Sequence, residues 1–452
     1  MHTKRNWLFF FIYLAIILLS WLPVYLAFFP GICYYDLPTQ IEQYASHVFN
    51  ASHPLLHTLI LGYLYTLFDN PNTGMMIYSI LQMILLASSM AYSCVYLYKR
   101  GINRVIRYLI IFLFAVLPLN SLLAISSTKD VVFAALMLFT LTYYLNLKTL
   151  PSKQDTESFP AAASKKTIWN KIVLSLLTVL TILFRNNAIY AFLAGACIIL
   201  IYQMIKKKKR KETLIFSFCT ILLFFSINKF LMISLNANTS SIKEMMSIPS
   251  QQMALIYRDC EDEELNSKIL NYIPVPTDYN PWLADAIKMQ LPFEIVESSF
   301  KHFLVLTAEC NLKHPIVCFK AFFYTMQGFI DIFHNPYHDE HFYLAPSYYR
   351  ADIELVSYNT PLHDLYVSCF NTTSSLNFFI KIFFNGGLYL WLFIICFIKF
   401  LIDKKETLSI SCLFIFLYFG TLLLGPGAII RYIYPIIICV PLFLCEAFFK
   451  KK

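Results

Sequence analysis

Five stretches of the chain are long, apolar and free of charge: residues 7–29, 74–98, 108–128, 186–205 and 407–424. Five more are shorter or flanked by charge, at 131–147, 172–184, 213–228, 383–398 and 432–449. A helix needs about 20 apolar residues to cross the hydrocarbon core, because lipid offers the backbone amides no partner. The pattern predicts an all-α polytopic membrane protein, a bundle of about ten transmembrane helices, with Lys171 and Glu446 snorkelling at span ends. Residues 54–68 are also apolar and uncharged, but fifteen residues are short for a crossing helix. Counting them would also move the basic cluster at 99–107 to the opposite face, so they are expected to form an interfacial helix.

Composition agrees with lipid as the solvent: 58% of residues are hydrophobic, 14% are charged and the mean hydropathy is +0.59. The first apolar stretch lacks a small-residue cleavage pattern and is too long for a signal segment, so a retained helix is expected. Charge then orients the bundle. Lys4 and Arg5, the cluster Lys99, Arg100, Arg104 and Arg107, the pair Lys165 and Lys166, the run 206–211, the pair Lys404 and Lys405, and residues 450–452 all fall on one face if ten spans alternate. The positive-inside rule makes that face cytoplasmic and puts both termini there, in a cell-membrane protein. The run 206–211 has the composition of a nucleic-acid or lipid patch but is read as a topology determinant, and no nucleic-acid partner is expected.

The opposite, external face receives the loop 30–73 with its interfacial helix, the turns 126–130, 185–187 and 425–431, and the long region 236–381, where acids outnumber bases. Three regions result: a membrane region at 1–235 with spans one to seven, an external, mainly helical domain at 236–381 lying on the membrane, and a membrane region at 382–452 with spans eight to ten. Within the external domain, Lys313, Pro315, Lys320 and Asp331 interrupt the apolar stretch 303–333. Residues 152–166 read as a polar cytoplasmic loop. Of the 12 cysteines, Cys260, Cys310, Cys318 and Cys369 lie in the polar region, where disulfides and free thiols are both open readings.

Candidate chemistry gathers on the external face. Asp36 follows the Pro30-Gly31 turn in aromatic sequence, and helical spacing puts Gln40 and Gln43 on its face. Two roles are open for it: cap of a helix starting at Leu37, and general base. His53 and His57 stand four apart on one helix face, a spacing that suits packing, orientation of a phosphate or acceptor, or metal binding. No HExxH glutamate or third ligand accompanies them, so a divalent metal is unsupported and no cofactor is expected. Lys129 with Asp130, Arg185 with Asn186 and Asn187, and Arg431 fall at the outer ends of spans, with Lys229 a weaker fourth cation. Such cations grip a lipid phosphate or snorkel at the interface.

Taken in order, these residues resemble the GT-C superfamily of multi-pass glycosyltransferases, and in particular the DUF6020 family. The resemblance rests on Asp36 after a Pro-Gly, His53 to Thr58, Lys129-Asp130 at the head of a span, Arg185 to Asn187, and Arg431-Tyr432 before Pro435. The segments 247–254 and 313–315 add to it. It implies a GT-C-like bundle whose partners are a polyprenyl-phosphate-linked sugar, membrane lipid, and an envelope glycan, lipid or protein as acceptor. Asp36 would be the catalytic base; Gln40, His53, His57, Lys129, Asp130, Arg185, Asn186 and Arg431 would bind substrate. Tyr35 stands beside Asp36 where some branches carry a second acid. Two other functions compete: a polysaccharide polymerase, and a transporter of lipid-linked saccharides.

Overall fold

The computed structural model describes residues 2–33, 36–149, 160–208, 210–239, 242–275, 279–291, 299–333, 360–370 and 383–449. The chain opens with α1 (His2–Ala27), two short helices α2 (Leu37–Ser46) and α3 (Leu55–Thr66), and the long α4 (Pro71–Lys99). It continues through α5 (Arg104–Val116), α6 (Pro118–Ala124), α7 (Lys129–Thr149), α8 (Pro160–Leu183), α9 (Ala188–Ile205) and α10 (Lys211–Ser234). A 3-10 turn, Ile242–Met246, leads into α11 (Ser247–Asp259), α12 (Glu263–Leu270), α13 (Ala284–Lys288), α14 (Phe300–Lys313) and α15 (Pro315–Ile330). The last helices are α16 (Thr360–Phe370), α17 (Gly386–Ile402), α18 (Glu406–Leu422) and α19 (Ile430–Phe448). Among the described residues the only extended pairings are isolated bridges, Ile32 with Ser126 and Asn50 with Asn238.

Helices α1, α4, α7, α9, α10 and α19 are long and apolar enough to cross a bilayer, which makes this an all-α, multi-pass membrane protein. Three further expected spans fall in α8, α17 and α18, whose apolar parts are 17 residues or shorter. The stretch 54–68 forms the short helix α3, and α8 begins at Pro160, inside the polar loop expected at 152–166. The rest of that loop and residues 334–359 and 371–381 of the expected external domain, and with them its boundary at 381–382, lie outside the described residues.

The expected third span, 108–128, is broken. Pro118 has no N–H to give the Phe114 carbonyl and pushes Leu117 into an extended conformation, so α5 and α6 meet at a 53° bend. The freed Phe114 carbonyl accepts from Trp21 Nε1 at 3.2 Å and Asn120 Nδ2 at 3.2 Å instead. In turn, Tyr434 Oη donates to Asn120 Oδ1 at 3.1 Å, tying the bend to α19.

Two large hydrophobic cores form, with a third, small cluster of Cys33, Leu37, Ile41, Leu61, Met75 and Tyr78 beside the α2–α3 segment. The first runs through the bundle, around large buried side chains such as Trp21, Phe133, Tyr418 and Phe443. The second lies between Met246 and Ala321 and includes Met253, Leu265, Ile287 and Phe303. Helix α15 belongs to both, with Cys318 and Ala321 in the second core and Met326 and Phe329 in the first. Cys260, Cys310 and Cys318 are free thiols.

Basic residues collect at one end of the bundle. Glu446 does not snorkel: it is buried and takes Arg100 Nε at 2.9 Å and Tyr96 Oη at 2.9 Å. Arg100 also reaches the Thr149 carbonyl at 2.9 Å, Lys405 the Glu446 carbonyl at 3.2 Å, and Lys208 pairs with Glu406. Arg5 lies over the Tyr98 ring. The first turn of α1 and the last turns of α4, α7 and α19 therefore share this end.

Candidate functional site

At the other end of the same helices, the loop after α1 is stitched to the turn before α7. Ile32 N donates to Ile125 O at 2.9 Å and Ser127 N to Ile32 O at 3.0 Å. The approach is close enough that a Cβ on Gly31, whose φ is +143°, would lie 2.2 Å from Ser79 Oγ, so only glycine fits. This pairing sets Asp36 beside Lys129. The turn between α8 and α9 presents Arg185, and the first turn of α19 presents Arg431.

Four chain segments thus converge in one ionic cluster. Lys129 Nζ pairs with Asp36 Oδ2, which also takes Arg431 Nη1 at 3.4 Å. Arg185 Nη1 pairs with Asp130 Oδ1, while Arg431 Nε stands 3.5 Å from Asp130 Oδ2. Tyr432 lies under both guanidinium groups, 4.6 Å from Arg185 and 5.1 Å from Arg431. Among the described residues of the cluster, three cations face two carboxylates, an excess of one positive charge. Lys129 and Arg431 both sit in the first turn of a helix, where the macrodipole disfavours a cation by about 0.3–1 kcal/mol. The positive ends of two helices and the cations they carry are met here by the carboxylates of Asp36 and Asp130.

Exposure separates the two acids: the Asp130 side chain is 1% exposed and the Asp36 side chain 17%. Asp36 stands at the N-cap of α2 but makes no side-chain cap hydrogen bond; its carboxylate faces the cations. Burial favours its protonated form, but Lys129, Arg431 and His53 outweigh this and hold its pKa well below the ordinary carboxylate value. His53 Nδ1 lies 3.3 Å from Lys129 Nζ and accepts from it. Burial, with Lys129 beside it, lowers the His53 pKa to about 4, so the ring is neutral at pH 7 with its proton on Nε2.

Behind this cluster runs a buried hydrogen-bond relay. Gln82 Nε2 faces three carbonyls, Leu123 at 3.3 Å, Ala124 at 2.9 Å and Ser126 at 2.6 Å, so it must be the amide nitrogen. Gln82 Oε1 then accepts from Tyr78 Oη at 2.9 Å, and Tyr78 Oη accepts from His57 Nε2 at 2.7 Å. His57 Nδ1, left bare, accepts from Gln40 Nε2 at 3.0 Å. The relay fixes one neutral His57 tautomer and ties α2, which follows Asp36, to the turn that precedes Lys129.

Of the residues expected from sequence, Asp36, His53, Lys129, Asp130, Arg185 and Arg431 come together. Gln40 and His57 lie in the relay behind them. Asn186 holds the Ala51 and Ser52 carbonyls at 2.9 and 3.3 Å, fixing the segment before His53. It is Asn187 that meets Arg185, accepting from Nε at 3.0 Å. Lys229 is exposed and outside the cluster. Tyr78 and Gln82 were not expected; a glutamine inside an otherwise apolar span was the signal for the latter. Among the described residues, no group of three or more His, Cys, Asp or Glu side chains is arranged to hold a metal ion.

Fold and site together define a multi-pass helical membrane protein with an ionic cluster at one end of its bundle. The chain belongs to the DUF6020 family, a family of unknown function, which it matches over residues 44–452. The matched span begins after Asp36 and Gln40 and contains the other candidate site residues. Neither a curated protein nor a solved structure matches the chain.

Proposed function

We propose that this protein is a GT-C-type glycosyltransferase that moves a sugar from a polyprenyl-phosphate donor to a cell-envelope acceptor at the outer face of the membrane. The observation that carries this reading is the convergence of Lys129, Arg185 and Arg431 on Asp36 and Asp130, with one positive charge in excess. A lipid phosphodiester brings one negative charge and matches that excess. When the donor phosphate draws Arg431 toward itself, Asp36 loses part of what depresses its pKa and becomes a better base. Asp36 then takes the proton of an acceptor hydroxyl, the hydroxyl oxygen attacks sugar C1, and the C1–O bond breaks with its electrons going to the lipid phosphate. Arg185 and Arg431 stabilise the charge that develops there. Cations of the chain occupy both carboxylates, so no metal takes part in this reading and a chelator leaves turnover unchanged. The ionisable residues of the site lie at helix ends, whereas a transporter of lipid-linked saccharides would carry them at mid-span.

In the same reading the chain crosses the bilayer ten times, through α1, α4, the bent α5–α6 pair, α7 to α10, and α17 to α19. Seventeen residues reach about 25 Å, near the lower limit for a span. The basic end with both termini is cytoplasmic, and the ionic cluster and the second core are external. Farnesyl phosphate, compared with farnesol, tests the phosphate site in the purified protein. Farnesyl phosphate is expected to bind, and Arg185→Lys or Arg431→Lys to weaken it about tenfold or more, since an ammonium cannot replace a bidentate fork. Equal binding of farnesol, or full binding by both variants, would overturn the reading.

A further inference from the structure

Helix α15 packs Cys318, Ala321, Thr325, Met326 and Phe329 inward. Its opposite side carries an apolar stripe: Ile316 is 81% exposed, Phe319 68%, and Phe323 is exposed as well. These three and Ile330 stand at i, i+3, i+7 and i+14, one face of a helix about 20 Å long. Leu312, in the last turn of α14, is exposed just before the stripe begins. At its other end the stripe runs into the bundle, for the Ile330 carbonyl accepts from Trp391 Nε1 at 2.9 Å. Trp391 opens a second exposed apolar stripe, continued down α17 by Ile395, Ile398 and Ile402, which is the outer surface of an apolar helix of the bundle.

From this continuity we infer that the α15 stripe lies in the headgroup region of the bilayer, so that the occupant of this face is lipid. A tryptophan at the junction suits that depth, because its ring is apolar and its N–H polar. Lys320 flanks the stripe, as expected of a helix lying in the interface. The consequence reaches the site. The second core is joined to the loop before Arg431 through Ala284 N, which donates to Pro426 O at 2.7 Å, and Phe329 meets Phe419 edge-on in the bundle. A stripe seated in lipid holds the second core against that end of the bundle. The inference does not depend on what the ionic cluster transfers.

The test places a nitroxide on Phe319→Cys, with Cys197, Cys219, Cys260 and Cys369 changed to Ser, in nanodiscs of phosphatidylcholine and phosphatidylglycerol. Glu264→Cys, on the exposed side of α12, is the aqueous control. The label at 319 is expected to collide severalfold more with oxygen than with a water-soluble nickel chelate, and the control to show the reverse. A label at 319 that meets the nickel chelate freely faces water, and one that meets neither is covered by protein; each result overturns the inference. Should the substitution unfold the protein, the wild type is labelled with a diazirine-bearing phospholipid. Adducts are then expected on Phe319 or Phe323 as well as on α17, and adducts on α17 alone would overturn it.

Discussion

Asp36 and Asp130 lie in one cluster, yet only Asp36 is open to solvent, because Asp130 is closed off beneath Arg185 and Arg431. As long as Asp36 is read as a helix cap, Asp36→Asn is expected to change stability little, since asparagine caps as well as aspartate. The structure alters that expectation: the carboxylate caps nothing and instead balances Lys129 and Arg431. Asp36→Asn should therefore lower the melting temperature, raise the local excess from one positive charge to two, and bind farnesyl phosphate at least as tightly as the wild type. Turnover with a polyprenyl-phosphate sugar should fall about 10²-fold or more. Loss of binding together with turnover would mean that Asp36 shapes the site rather than acting as its base. His53 gives a pH signature. Its pKa is about 4 when folded against an ordinary 6.5, so between these values the unfolded chain binds a proton that the folded site refuses. Stability contributed by the neutral ring is fully present above about pH 6.5 and is lost as pH falls toward 4, by up to about 3 kcal/mol. His53→Gln should reduce the slope of the melting temperature across that window, the rest coming from His57, whose pKa burial lowers to about 3, and an unchanged slope would place the whole titration elsewhere.

Apolar runs showed the helices of the bundle well, because a backbone in lipid has few choices. Where sequence reading went astray, a single residue had local consequences that hydropathy does not register. Pro118 lies in an uncharged run and reads as span interior, yet it ends α5 and turns the chain into α6. Gln82 also passes unnoticed in an apolar stretch, although its amide holds three carbonyls of the turn that places Lys129. The cations and Asp36 were visible as charges at span ends within reach of one another, but which cation meets which acid was not, since it depends on Gly31 bringing two distant loops together. The bend itself can be tested. In a Tyr434→Phe background, where no hydroxyl loses its acceptor, Trp21→Phe with Asn120→Leu removes both donors from the Phe114 carbonyl, and the smaller ring at 21 adds a cavity cost of its own. Leaving that carbonyl unpaired in the bundle should cost about 1–3 kcal/mol, read as a lower melting temperature in detergent. Because Trp21 and Asn120 share this acceptor, the pair should cost more than the sum of the two single substitutions, and simple additivity would show that the carbonyl finds another partner.

Across the whole molecule, the basic clusters and the ionic site occupy opposite ends of shared helices. In α7, Lys129 belongs to the site, and Thr149, twenty residues on, receives Arg100; in α19, Arg431 belongs to the site and Glu446 receives Arg100. At 1.5 Å per residue the two ends of α7 are about 30 Å apart, the thickness of the hydrocarbon core. The basic residues and the ionic cluster therefore stand about one hydrocarbon thickness apart, and the orientation proposed above puts the cluster at the interface far from the basic residues. The first turn of α1 and the last turn of α19 lie at the basic face, Arg5 over Tyr98 and Glu446 at Arg100. Two exposed positions serve as reporters: Asp69 in the turn that leads into α4, toward the site, and Lys207 in the turn between α9 and α10, beside the Lys208 and Glu406 pair. In cells whose native exposed thiols have been replaced, Asp69→Cys should react with an impermeant maleimide from outside. Lys207→Cys should react only after the membrane is opened. Labelling of Lys207→Cys in intact cells would put the basic face outside, and with it the cluster would face the cytoplasm, where a sugar carried on an outer-leaflet lipid cannot reach it.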